Sequence, residues 1–200
     1  MLVLASSSPR RVALLKEWGY AFRIVEPAAD ETWKDGLPEK EIVRRLAERK
    51  ALSGVEKWRE AGGGQEDIVL AADTVVVLDG TVLGKPGSRE EAAAMLTRLS
   101  GRVHDVLTGI AICRLCGEKE IAVVESRVHF KKLTQEMIAA YVRSGDSLDK
   151  AGAYGIQGEA GKFVARLDGS LTNVIGLPME FLQQRLNVWG IASKKDPGMG

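Results

Sequence analysis

Histidine, cysteine and aromatic side chains are scarce in this 200-residue chain, which has two histidines, two cysteines and 6% aromatic residues. So little cysteine excludes a disulfide scaffold. The two thiols form Cys113-Arg114-Leu115-Cys116, a spacing that suits a redox pair or half a zinc site. A zinc ribbon needs a second such pair, and His104 and His129 show no ligand spacing. The plainer reading is two thiols near a strand end and a turn. Charge of one sign is also missing: 28 basic residues face 27 acidic ones. With no basic field, and no aromatics interleaved with basic residues, neither nucleic acid nor an anionic membrane is expected as the main partner. No apolar run approaches the roughly 18 residues needed to span a bilayer. The opening Met1-Leu2-Val3-Leu4-Ala5 lacks the basic flank and long apolar stretch of a secretory signal. The expectation is a soluble, cytoplasmic protein.

The 45% of hydrophobic residues suffices for one substantial core, or two lobes sharing a cleft, without covalent staples. Leu2 to Ala5 reads as a short buried strand that stops at three serines, and Pro9 then opens a helix. Phe22 to Val25 predicts a second strand, and Pro38 starts a helix running to Trp58 or Arg59. Ile68 to Leu78 is a long apolar strand interrupted by Asp73 and Thr74. Asp79-Gly80 is a two-residue hairpin signal leading into Thr81 to Leu83. Ser88 with Glu91 makes a capping box for a helix ending near Gly101. Strands follow around Val106 to Cys113 and Ile121 to Phe130, and Thr134 caps a further helix. The last third holds a glycine-rich stretch from Gly152 to Gly161, a strand at Phe163 to Leu167 and a helix from Pro178 to about Leu186. Residues 1–193 read as a single domain, with 194–200 a frayed tail. There is no internal repeat.

Four constellations carry chemistry. In Ser6-Ser7-Ser8-Pro9-Arg10-Arg11, a strand hands over to a helix, so free backbone N–H groups, hydroxyls, a helix dipole and two guanidinium groups converge as in a phosphate cradle. The alternative is an ordinary capped helix with solvated arginines. Asp73 is a carboxylate inside an apolar strand, where an unpaired charge costs several kcal/mol, so it is bound, bridged or open to a cleft unless it merely ends a strand. Lys85, in Gly84-Lys85-Pro86, is returned by the hairpin toward the Asp73 end; a lysine beside a carboxylate suits a metal-bridged phosphate. In Asp149-Lys150-Ala151-Gly152-Ala153-Tyr154-Gly155-Ile156-Gln157-Gly158, small residues let backbone approach a flat ligand. The Gln157 amide matches the donor and acceptor on the edge of uracil or thymine, although a flipped amide also serves cytosine.

Taken in order, Leu4 to Arg11, Asp30-Glu31, Leu46-Ala47 with Lys50-Ala51, Ala72-Asp73-Thr74, Gly84-Lys85-Pro86, Ser100-Gly101, Gly152 to Gly158 and Gly176-Leu177-Pro178 resemble the Maf family of nucleotide pyrophosphatases over nearly the whole chain. The resemblance implies an α/β fold shared with inosine triphosphate pyrophosphatases, a mixed sheet with flanking helices, two lobes around a cleft, and a homodimer. It also implies a metal-dependent reaction on a small nucleotide, in which water attacks the α-phosphorus and pyrophosphate leaves. Asp73 is then the proton acceptor, Glu31 and Asp73 the carboxylates for Mg²⁺ or Mn²⁺, and Arg11, Lys50 and Lys85 partners of the triphosphate, with Ser6 and Ser8 adding hydrogen bonds. Arg10, Thr74 and Gln157 match the branch that prefers dTTP and UTP. The branch acting on 7-methyl-GTP carries Trp, Gln and Glu there. One departure is Ala72, where many members have glycine. The competing reading is a nucleotide-binding regulator of cell division without catalysis.

Overall fold

The computed structural model describes residues 1–33 and 36–195. Its strands are β1 (Leu2–Ala5), β2 (Phe22–Val25), β3 (Ile68–Leu78), β4 (Thr81–Leu83), β5 (Val103–Arg114), β6 (Lys119–Phe130) and β7 (Val164–Asp168). Its helices are α1 (Pro9–Glu17), α2 (Glu39–Glu60), α3 (Arg89–Leu99), α4 (Gln135–Arg143), α5 (Leu171–Ile175) and α6 (Met179–Val188), with single 3₁₀ turns at Ala151–Ala153 and Glu159–Phe163. The strands bond in the order β2-β1-β3-β5-β6-β7, with β4 paired to β3. The sheet is mixed: β1 runs parallel to β2 and β3, whereas β4 and β7 are antiparallel to their partners. The chain divides into two compact units, whose boundaries fall within β3, β5 and β6 and just after α5.

The first unit comprises Met1–Asp73, Thr108–Val124 and the chain from Gly176 onward. Strand β1 is buried along its whole length, as the uninterrupted apolar run of a parallel strand requires. One cluster of this unit's core is rich in small side chains, including Ala5, Ala47, Ala51, Ala71 and Ala111, which let helix and sheet approach closely. Gly54 on α2 shows how closely: a Cβ there would lie 2.5 Å from the Ala5 Cβ. Beyond Ser193 the chain is still held, because Lys194 N–H donates to Gly19 O at 3.1 Å and the Lys195 ammonium to Glu17 O. The rest of the expected tail, 196–200, lies outside the described residues.

The second unit comprises Thr74–Leu107 and Glu125–Ile175. Asp79 and Gly80 take φ of 50° and 73°, the positive values a type I′ hairpin demands, and pair Val76 with Leu83. Its core combines aliphatic residues of α3 and α4 with an aromatic group of Phe130, Tyr141, Tyr154 and Phe163, whose rings meet edge to face.

Three element starts and one cap differ from the predicted ones. Pro38 and Pro178 cap α2 and α6 from outside, since their ψ of 142° and 89° are not helical. The capping box is shifted: Ser88 Oγ accepts from Glu91 N–H, but the Glu91 carboxylate reaches back to Gly87 N–H at 2.7 Å. Phe163 ends a 3₁₀ turn and β7 begins at Val164. The five-residue α5 is too short to display a helical period. Cys113 is buried and Cys116 exposed, and burial pushes the Cys113 thiol up to about 11.

Candidate active site

In the first unit the structure gathers Ser6, Arg11, Glu31, Lys50 and Asp73. Lys50 lies on the buried stripe of α2, among Leu46, Ala47, Ala51 and Gly54, where an ammonium without partners is untenable. Its partners are two carboxylates: Nζ stands 2.8 Å from Glu31 Oε1 and also bonds Asp73 Oδ1. The Lys50 and Asp73 side chains are 10% and 12% exposed, while Glu31 is half open to solvent. Two acidic side chains from different parts of the chain thus converge on one cation.

Arg11 is buried in the first turns of α1. Its Nε donates to Gly176 O at 2.8 Å and its Nη1 to Ser6 Oγ at 3.3 Å. Desolvation lowers its pKa, and the charge of Arg10 pushes the same way. Asp73 and Glu31 act in the opposite direction, which places Arg11 within the field of both carboxylates. Ser6 Oγ also accepts Ser8 N–H at 3.2 Å. The Ser8 hydroxyl makes no capping bond, although Ser8 is the N-cap residue of α1. Hydroxyl, guanidinium and helix N-terminus therefore share one small region, the chemistry an anionic oxygen seeks.

The loop that carries Glu31 is tethered along α2 at successive turns. Ala28 N–H donates to Ser53 Oγ at 2.9 Å, and Arg49 Nη2 donates to Thr32 O at 2.7 Å. The Asp30 carboxylate folds the loop on itself, accepting from Thr32 N–H and Thr32 Oγ1 at 2.9 and 2.7 Å. Sequence reasoning missed Arg49 and Ser53 because their targets are backbone groups, which no residue type marks.

Thr74, Lys85 and Gln157 belong to the second unit. Thr74 follows Asp73 directly on β3 and is half-buried. Lys85 is exposed, two residues past the β4 terminus at Leu83; continuing the Val76 to Leu83 register returns the chain toward the Thr74 end of β3. Gln157 is exposed in the loop between the two 3₁₀ turns. Gly152 N–H donates to Gly84 O at 3.0 Å, so the loops bearing Lys85 and Gln157 are bonded to each other.

Among the described residues no three His, Cys, Asp or Glu side chains group as a metal site. Glu31 and Asp73 nevertheless fit a small hard cation, since both already bond one ammonium. Mg²⁺ is commonly held by one or two carboxylates plus substrate phosphates and water.

Known proteins resemble this chain in sequence and in fold. A solved structure, the Staphylococcus aureus Ham1 protein, shares the fold with a TM-score of 0.52 at 16% identity, covering 94% of this chain and 98% of that one. A dTTP/UTP pyrophosphatase of Desulfitobacterium hafniense is 50% identical over 191 residues, 96% of this chain and 86% of that protein. One from Pelotomaculum thermopropionicum is 47% identical over 190 residues, 94% of this chain and 96% of that protein. Residues 1–189 match the family described as Maf-like protein. A family match over residues 1–189, with relatives 50% and 47% identical over nearly the whole chain, means that this chain belongs to the Maf family.

Proposed function

We propose that the chain hydrolyses dTTP and UTP to the nucleoside monophosphate and pyrophosphate. The observation that carries this reading is the Lys50 ammonium shared by Glu31 and Asp73. On this reading Asp73 is the proton acceptor, Glu31 and Asp73 are the acidic pair for a divalent ion, and Lys50 and Arg11 are cations for phosphate. Relatives nearly half identical over almost the whole chain bear the name dTTP/UTP pyrophosphatase.

In this mechanism Asp73 orients and deprotonates the water that attacks the α-phosphorus, and the bond to the departing pyrophosphate breaks. Arg11, Lys50 and Lys85 bind phosphate oxygens, with Ser6 and Ser8 adding hydrogen bonds. Arg10, Thr74 and Gln157 select the base, the Gln157 amide both giving and accepting on a pyrimidine edge. Glu31 and Asp73 would hold Mg²⁺ or Mn²⁺, and such an ion would offset charge on the phosphate oxygens. No helix among the described residues is long and apolar enough to cross a membrane. A cytoplasmic homodimer, implied by the resemblance, is part of the same proposal, and sedimentation of the pure protein tests the dimer.

The deciding experiment is pyrophosphate release from dTTP, UTP, CTP, GTP and 7-methyl-GTP, with Mg²⁺ or Mn²⁺ and again with chelator. Turnover of dTTP and UTP that chelator abolishes is expected. Asp73→Asn should lower kcat by about 10²- to 10⁴-fold. Turnover of 7-methyl-GTP in preference would transfer the chain to the other branch. Binding without release of pyrophosphate would favour the regulator.

A further inference from the structure

The segment before Gln157 contains a cluster of bonded polar groups that the proposed chemistry does not use. Lys150 Nζ donates to Asp146 O at 2.7 Å, to Asp146 Oδ1 at 2.8 Å and to Asp149 Oδ1 at 2.6 Å. Its side chain is 10% exposed, and those three bonds match the three donors of an ammonium. The stem of the same side chain lies against Gly155: a Cβ there would stand 2.6 Å from Lys150 Cε. Tyr141, buried within the aromatic group, reaches the same two residues. Its hydroxyl accepts Gly155 N–H at 3.3 Å and lies 3.3 Å from Asp146 Oδ2. Burial raises the Tyr141 pKa, so the phenol keeps its proton to donate to Asp146. Lys150 and Tyr141 therefore grip Asp146 and Gly155 from two directions, and Gln157 follows two residues later.

Further anchors leave little freedom upstream. Gly152 is bonded to Gly84 O and sits at φ of 67° with Val76 where a Cβ would go. The Tyr154 hydroxyl lies 2.7 Å from His104 Nε2. Ion pairs with partners this open to solvent add little stability, so the direction they impose on the backbone is their larger effect. A lysine here joins one backbone carbonyl, two carboxylates and a close glycine contact, and so sets backbone direction.

We infer that Lys150 and Tyr141 form a positioning clamp for base selection, acting through Asp146 and Gly155 to aim Gln157 without touching the nucleotide. The inference rests on the reading of Gln157 as the base-selecting amide. In an amide that must both give and accept, a small rotation forfeits both bonds, so loosening the clamp erodes discrimination between bases more than it slows cleavage.

The test is a double-mutant cycle on the full chain, with kcat and KM measured for dTTP and GTP in Lys150→Met, Gln157→Ala and the double variant. Lys150→Met should lower the dTTP-over-GTP ratio of kcat/KM by about 10-fold, chiefly through KM for dTTP, leaving kcat for dTTP within about 3-fold. The double variant should have the ratio of Gln157→Ala alone, and Lys150→Arg should recover part of the loss. An unchanged ratio in Lys150→Met while Gln157→Ala lowers it overturns the clamp alone, as does full additivity in the double variant. An unchanged ratio in Gln157→Ala overturns the underlying reading, and the clamp with it. Should Lys150→Met fail to fold, Tyr141→Phe removes only the hydroxyl at Gly155 and is held to the same ratio.

Discussion

Lys50 holds the two carboxylates of the proposed site together, because its ammonium stands where they meet. Lys50→Met leaves Glu31 and Asp73 facing each other without a cation. Breaking a fully buried pair costs about 3–5 kcal/mol, and the solvent-exposed Glu31 reduces this to about 2 kcal/mol. The urea midpoint at neutral pH should fall accordingly. Mg²⁺ without nucleotide should then raise the midpoint of the variant more than that of the parent, because the freed carboxylates bind the ion only in the folded chain. An equal response in both proteins would show that the ion does not bind at this pair. Asp73 was legible in the sequence because a carboxylate in an apolar strand demands a partner. Lys50 carried the same mark within the stripe of Leu46, Ala47 and Ala51, but nothing in the sequence paired the two, 23 residues apart. The bond from Arg11 to Gly176 O spans 165 residues and ends on a carbonyl, so no side chain announced it.

Helix α2 delivers Lys50 only because the helix lies close on its strands. Gly54, one turn beyond Lys50, makes that approach possible: an added Cβ would be 2.5 Å from Ala5 Cβ and 3.0 Å from Val69 Cγ1. Within a helix, glycine is worse than alanine by about 1 kcal/mol, so at an unconstrained position Gly54→Ala would stabilise the protein. Here the methyl has no space, and overpacking of about 1–3 kcal/mol should dominate. A lowered thermal midpoint and a rise in KM for dTTP, as Lys50 is displaced, are the expected results. A midpoint above that of the parent would mean that helix and sheet separate at little cost. The hairpin at Asp79-Gly80, the Thr134 cap and both long strands were readable because each depends on local chemistry. The starts of α2 and α6 were displaced by one residue because proline fixes φ but not ψ, and α5 is shorter than the period by which helices are recognised.

Across the whole molecule, acid is the condition that should discriminate most. Burial lowers the His104 pKa to about 4, against about 6.5 in an unfolded chain. The stabilisation of neutral His104 is complete above pH 6.5 and is lost as pH falls toward 4, because the unfolded chain takes up the proton first. Over that window the loss is about 3 kcal/mol. Urea midpoints at pH 7.5 and 5.0 should therefore converge in His104→Gln relative to the parent, whatever the starting stability of the variant. An unchanged pH dependence would mean that His104 is not held neutral.

The sequence by itself determined the α/β class, the short buried strand β1, the hairpin and the order of the family motifs, because periodicity and turn chemistry act over a few neighbouring residues. Only the tertiary structure decided which charges share Lys50, what holds the Glu31 loop to α2, and that Lys150 and Tyr141 grip the segment before Gln157. Those interactions join side chains to distant side chains and unmarked backbone groups, so they exist only once packing has excluded water and each buried charge has had to find a partner.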